Sequence, residues 1–406
     1  MRDRSWSRRQ VLCGLSTVAG VSLAGCLGAS SDPAGDGGTL SEFAETQFRG
    51  GLRNQGQTGE TIPPAVSQDW ALPANESDHS ATKGSPVITP DGDVLLADDT
   101  GRLRRITPEG AVRWEATITE VERGSHGTPA IVSGTAYIGS YDGAVSAFAL
   151  ETGDREWHSD VGSAVGASPT YYDGKLYVAV EHATPSGSVV VFDAGTGAIE
   201  SWDEWPTDHP HSTVAIDREA GRLVCGSNDG RCYAWSFPGF EREWSYDTGG
   251  DVKTALAIAD GVVIVPSWAG TVTAIDVDDG SQVWEFDGGQ DFMCAPAVHD
   301  GTVYVGSHDS NIYALDLDTG KKEWVKETGG WITGNAVATP NHVLVGSYDR
   351  TLYALSQRDG SVTWSFSGRG EITSAPAVTA DAIYVTERAR NGESDYPGML
   401  YRLTSG

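Results

Sequence analysis

Tryptophans recur along this chain at Trp114, Trp157, Trp202, Trp244, Trp284, Trp324 and Trp364, in steps of 43, 45, 42, 40, 40 and 40 residues. One further step of 44 backwards reaches Trp70. A period of about 40 residues repeated this often leaves few architectures open. Within each period the pattern is constant and is clearest in "CAPAVHDGTVYVGSHDSNIYALDLDTGKKEWVKET" (294–328). A small-residue strand around Ala295–Val298 meets an Asp300-Gly301 turn, and Val303–Ser307 alternates as a second strand. A turn at His308–Ser310 leads to a third strand, Ile312–Asp316, and Asp318-Thr319-Gly320 to a fourth around Trp324. Four short antiparallel strands have two apolar faces, which one unit cannot cover alone. Neighbours must stack, and radial stacking closes a ring.

The expected fold is therefore all-β, an eight-bladed β-propeller with four-stranded antiparallel blades. Seven units are complete, at 82–118, 125–161, 164–205, 211–247, 251–287, 292–328 and 332–368. The eighth, 372–404, holds three strands and stops before any tryptophan. Trp70 stands outside and ahead of the first full unit, so the N-terminal segment is expected to supply the missing outer strand of the last blade, Asp69–Leu72 pairing with Leu400–Leu403. The pattern A-x-D-x-x-x-G-x-x-x-W places glycine where the turn before the fourth strand needs a positive φ. Its tryptophan is expected to lie on the adjacent blade with its N–H on a backbone acceptor. Trp70, Trp114, Trp157, Trp202, Trp244, Trp284, Trp324 and Trp364 are all assigned this docking role. The copies are imperfect: Ala149 and Ser356 replace the aspartate, and Pro238 and Gly239 interrupt the pattern before Trp244.

The chain opens "MRDRSWSRRQVLCGLSTVAGVSLAGCLGASSDP", with Arg8 and Arg9 ahead of an apolar run from Val11 to Ala24. The run is too short to span a bilayer and reads as the core of a signal peptide, residues 1–26. The paired arginines resemble the twin-arginine export signal. Leu23-Ala24-Gly25-Cys26 resembles a lipobox, which would make Cys26 the lipidated mature N-terminus. Residues 27–41, rich in Gly, Ser and Asp, read as a flexible tether, and 42–406 as the propeller. In "LVCGSNDGRCYAW" (223–235) Cys225 and Cys232 flank a hairpin turn. They are expected either to pair as a disulfide or to serve as small apolar strand residues. Lys and Arg total 28 against 56 Asp and Glu, a net charge of −28. Nucleic acid is an unsuitable partner for such a surface. Removing the signal leaves the mature chain at −31.

The tryptophan motif resembles the docking motif of pyrroloquinoline quinone (PQQ)-like repeat propellers, and "FRGGLRNQGQTGE" (48–60) resembles the lead-in of that superfamily. The resemblance covers about 45–406. With few lysines and an acidic balance, the chain also resembles haloarchaeal cell-surface lipoproteins. One branch of the superfamily contains quinone- and Ca²⁺-dependent dehydrogenases. Its alcohol enzymes carry a vicinal Cys-Cys disulfide over the cofactor and long inserted segments; this sequence has no Cys-Cys dipeptide and near-minimal blades. The other branch includes the barrel-assembly lipoprotein of outer membranes, a binding scaffold. The sequence also lacks G-x-S-x-G, H-E-x-x-H and Walker motifs.

The reading is a lipid-anchored, extracytoplasmic, non-catalytic propeller, monomeric, binding an envelope protein or ligand, with no cofactor or metal. Two alternatives stand beside it, a PQQ- and calcium-dependent dehydrogenase and a glycan- or peptide-binding surface protein. A candidate binding face gathers the loops entering the innermost strands and the turns between strands two and three. It holds His79, Lys83, His126, Tyr141, His182, His209, His211, Lys253, Trp268, Phe292, His308, Trp331, Tyr348, Arg369 and Glu371. Histidines and aromatics there suit metal, sugar or peptide. "HPH" (209–211) is the best metal fragment, without a spacing that fixes a site. "EHATPSGS" (181–188) and "ERARNGESDYPG" (387–398) lengthen two turns of this face and are candidate recognition loops.

Overall fold

In the computed structural model, residues 40–76, 84–389 and 396–406 are described. The signal peptide with Cys26, the tether up to residue 39, His79, Lys83 and the middle of the 387–398 loop lie outside the described residues. Among those described, the strands form eight four-stranded antiparallel sheets. Seven are local hairpin meanders at 87–117, 130–160, 170–203, 215–247, 257–287, 297–327 and 337–367. Tight turns start each meander. Asp173-Gly174, Asp260-Gly261 and Asp300-Gly301 all take positive φ at both residues, the geometry that matches the twist of a two-residue hairpin.

The eighth sheet joins the chain ends. Strand Val66–Asn75 pairs with Gly398–Ser405, with Gln68 opposite Leu403, Trp70 opposite Arg402 and Leu72 opposite Leu400. The expected clasp is present. Eight apolar clusters then sit one between each pair of consecutive blades. The closing one unites Ala74, Tyr384 and Leu400 of the last blade with Val94, Leu96 and Ile106 of the first. A ring follows, because no blade is left with an uncovered face.

Seven of the eight repeat tryptophans dock as expected. Their indole N–H groups donate to the carbonyls of Pro108 (from Trp70), Leu150, Ala194, Val277, Leu317, Gln357 and, for Trp364, Pro63 of the clasp, at 2.7–3.1 Å. The motif glycine does more than turn. At Gly197, with φ +70°, an added Cβ would stand 2.5 Å from the Trp157 ring, so the indole rests on bare backbone.

Trp202 corrects the expectation: it is 64% exposed and does not dock. The surface it would meet is the interrupted turn at Pro238-Gly239, where Phe240 stacks on buried Trp235 at 6.0 Å. Asp203 seals that seam instead, accepting from Trp235 Nε1 at 2.7 Å and from Arg242 at 2.8 and 2.6 Å. The disulfide alternative for Cys225 and Cys232 is also overturned. Both are free and buried. Cys225 is opposite Tyr233 and Cys232 opposite Gly226, so the two thiols point to opposite faces of the blade, one into each neighbouring cluster.

The lead-in segment has a role that its sequence did not reveal. The body begins at Leu40, two residues before the expected boundary. From there the chain crosses the propeller under the ends of the innermost strands. It bridges Phe43 to Tyr172, Thr46 to Ile131 and Gln57 to Ala338. Between these it accepts hydrogen bonds from Ile216, Ile258 and Val298 through the carbonyls of Leu52, Arg53 and Gln55. Phe48 is buried against Ala255 and Ala295, and Arg49 beside it donates to the Pro296 carbonyl. This end of the channel is closed by the chain's own N-terminal segment.

Candidate functional site

With one end plugged, the channel is a funnel open on the opposite face, a cavity of about 680 Å³ whose lining includes Phe48. Hydroxyls stitch its wall from blade to blade. Backbone N–H groups of Ser85, Thr128 and Ser168 donate to the side chains of Thr128, Ser168 and Thr213, at 3.3, 2.9 and 3.1 Å. Ala375 N–H returns to Ser85 Oγ at 3.0 Å, across the closure of the ring. Small polar residues ahead of the innermost strands of the first four blades thus tie neighbouring blades to one another, and the last blade to the first. Side chains just ahead of them project into the funnel.

On the wall formed by blades three and four, Glu181 ends strand Lys175–Glu181 and is tied by its backbone to Ala164. His209 and His211 precede strand Ala215–Asp217. The two segments touch because residue 187 is glycine, where a Cβ would lie 2.1 Å from Pro210 Cδ. His211 Nδ1 stands 3.0 Å from Glu181 Oε1, off the direction of a hydrogen bond, and that buried oxygen has no hydrogen-bond partner. His209 Nδ1 lies 3.9 Å from Glu181 Oε2, and its Nε2 is 3.0 Å from the His182 carbonyl. Tyr141 approaches the same place, its hydroxyl 3.3 Å from His126 Nδ1. Burial, with the Glu181 charge nearby, pushes the Tyr141 phenol well above its ordinary 10. It therefore stays protonated at neutral pH.

The opposite wall is aromatic. Trp331, 51% exposed, stacks on His308 at 4.8 Å and 17° and stands 5.9 Å from Tyr348. Arg388 lies over Tyr348 and donates to its hydroxyl at 3.0 Å. Lys253 sits 3.7 Å above the Trp268 ring and pairs with Asp251 at 2.9 Å. Burial lowers the His308 pKa, only partly offset by Asp291, so this imidazole is neutral near pH 7.

The structure gathers His126, Tyr141, His209, His211, Lys253, Trp268, His308, Trp331 and Tyr348 around one cavity. His182 is near but contributes its carbonyl, its ring facing Ser188 Oγ at 3.1 Å. Arg369 packs over Tyr396, and Glu371 stands 3.5 Å from Arg388. Phe292 is corrected: it is fully buried in the cluster between blades five and six. A signal was available, since Val252, Phe292, Ile332 and Ile372 recur at steps of 40 and all are apolar and buried. Glu181 was missed as a site residue. A glutamate at a strand end carries no sequence mark, and only the ring brings it to a histidine pair about 30 residues on.

The profile of a protein family described as outer membrane protein assembly factor BamB matches residues 28–203, 185–330 and 325–396. The chain is 25% identical over 210 residues to the outer membrane protein assembly factor BamB of Yersinia pestis, covering 48% of this chain and 51% of that protein. It thus spans about half the length of the curated relatives it matches. Among solved structures, BamB from Moraxella catarrhalis superposes with a TM-score of 0.64 at 17% identity, covering 84% of this chain and 99% of that one. A quinohemoprotein alcohol dehydrogenase from Comamonas testosteroni superposes with a TM-score of 0.73 at 14% identity, covering 88% and 80%. At such identities the structural likenesses show the fold alone.

Proposed function

Because the chain belongs to the family of PQQ-like repeat propellers described as outer membrane protein assembly factor BamB, we propose that it is a non-catalytic scaffold that seats a partner segment in its funnel. The observation that carries this reading is the half-exposed Trp331 stacked on His308 beside Tyr348, a large apolar surface on the wall of a rigid, one-ended cavity. Such a platform takes an aromatic or apolar side chain of a partner protein. The same aromatic surface also suits a sugar ring, which gives the second reading, a glycan-binding protein.

The funnel's donors support a role without quinone or calcium. Ca²⁺ takes six to eight oxygen ligands, whereas this wall converges two imidazoles on one carboxylate. The three described cysteines are buried singly, with none placed as a vicinal pair. The signal-like N-terminus supports export by the twin-arginine route and anchoring through lipid on Cys26. The scaffold then works on the outer face of the cell membrane as a monomer, with an envelope protein as its partner and no nucleic acid. Among the described residues no helix is long and apolar enough to cross a membrane.

Crosslinked capture from cell envelopes, with Trp331→Ala as the control, tests the reading. The wild type is expected to retain an envelope protein that the variant loses at an unchanged melting temperature. Binding to a glycan array that disappears in Trp331→Ala would replace the protein partner with a sugar. Dye-linked oxidation of an alcohol or sugar after adding PQQ and Ca²⁺ would overturn the scaffold. Cys26→Ser is expected to release the protein from membranes, and full retention would remove the anchor.

A further inference from the structure

We propose that Glu181, His209 and His211 form a binding site for one divalent transition metal ion of the Zn²⁺ type. One ligand atom from each residue lies within 4.8 Å of the other two. The His182 carbonyl can only accept, so His209 Nε2 carries a proton, and in the neutral ring Nδ1 is left as the metal-binding nitrogen, 3.9 Å from Glu181 Oε2. A backbone carbonyl orienting the far nitrogen is the usual support of a metal-bound imidazole. The Glu181 side chain is only 9% exposed, and its Oε1 faces His211 Nδ1 at 3.0 Å without a hydrogen bond. An imidazole nitrogen and a carboxylate oxygen that close, in a partly buried wall, need a shared cation between them, a proton or a metal ion. In a tetrahedral zinc site, bonds of roughly 2.0–2.2 Å put ligand atoms about 3.3 Å apart; here His211 Nδ1 is 3.0 Å from Glu181 Oε1 and His209 Nδ1 is 3.9 Å from Glu181 Oε2, so a small adjustment of the side chains would close them on one ion. Asp208, with Oδ1 3.8 Å from His209 Nδ1, stands at the margin of the cluster.

Two imidazoles and one carboxylate select a borderline cation over Mg²⁺ or Ca²⁺. Three protein ligands leave a coordination position open. The three residues line the funnel together with Tyr141, so an ion held there would be reached from the cavity. The metal would present an exchangeable site to whatever enters the funnel, and it does not depend on the identity of that partner.

The test uses the full chain, stripped with a chelator and held in molar KCl with excess Mg²⁺ to occupy the acidic surface. Calorimetric titration with Zn²⁺ is expected to give one tight equivalent, Co²⁺ to give the visible absorption of a low-coordinate site, and Zn²⁺ to raise the melting temperature. Glu181→Gln and His211→Ala should each weaken Zn²⁺ binding by roughly 100-fold and abolish the Co²⁺ band. Should Glu181→Gln fail to fold, His211→Ala alone decides. Zn²⁺ uptake equal in wild type and His211→Ala, or uptake displaced by Mg²⁺, overturns the site.

Discussion

A repeat tryptophan is worth what its neighbour lets it bury. Trp244 is 9% exposed and hydrogen-bonded to the Val277 carbonyl at 3.1 Å, whereas Trp202 is 64% exposed. Trp244→Ala is therefore expected to cost about 3–5 kcal/mol of unfolding free energy, and Trp202→Ala within about 0.5 kcal/mol, by denaturant titration. Equal costs would contradict the docking account. Glu387 gives a pH signature at the same scale. It is fully buried, with Oε2 accepting from Arg369 and Gly370 N–H at 2.9 and 2.8 Å. Burial raises its pKa above 4.5, and the hydrogen bonds only partly offset this. The folded chain thus holds that proton more tightly than the unfolded one. Its stabilising contribution is present below 4.5 and lost as pH rises through the raised folded value. Glu387→Gln does not titrate, so its melting temperature relative to wild type should climb as the pH is raised from 4.5 through the raised folded value. A flat or falling difference would show that Glu387 is not destabilised by its charge.

At the scale of elements, the strand Val66–Asn75 does two jobs. It completes the last sheet, and its Trp70 docks on the first blade's Pro108 carbonyl. Deleting residues 63–75 leaves strand Gly398–Ser405 as a bare edge and removes the acceptor of Trp364. The expected result is aggregation or loss of a single unfolding transition in calorimetry. A control deletion of 27–39 should melt as wild type. If both deletions melt alike, the clasp is not what closes the ring. The lead-in just before this strand is a separate device: its carbonyls satisfy N–H groups of several blades at once, so it fixes the closed end of the funnel.

For the whole molecule, the governing quantity is charge. At −28 for the full sequence, self-repulsion opposes compaction wherever the screening length is long, about 10 Å at 0.1 M salt and about 3 Å at 1 M. The melting temperature should therefore be lower in about 0.1 M than in about 1 M KCl. Identical values in both would mean that the acidic surface has no bearing on stability. Repulsion of this kind acts on every blade together, so the whole transition should shift without splitting.

Eight blades, their register and the N-terminal clasp were legible in the sequence, because a strand's period of two and a repeat of about 40 residues are local patterns. Docking was legible too, except at Trp202, since whether an indole is covered depends on the next blade's turn and not on its own. Pro238 and Gly239 marked that turn, but their effect falls on the tryptophan before them. The histidine and aromatic face could be placed by following which loops share one side of a blade. Phe292 broke that rule because its ring, in the loop ahead of strand Ala297–His299, enters the seam between blades five and six. Cys225 and Cys232 look adjacent across a hairpin, yet a one-residue offset sends them to opposite faces. Glu181 joins His209 and His211 only when hairpin 181–188 is pressed onto Pro210. That contact lies between blades, at a separation no repeat encodes, and so only the closed ring decides it.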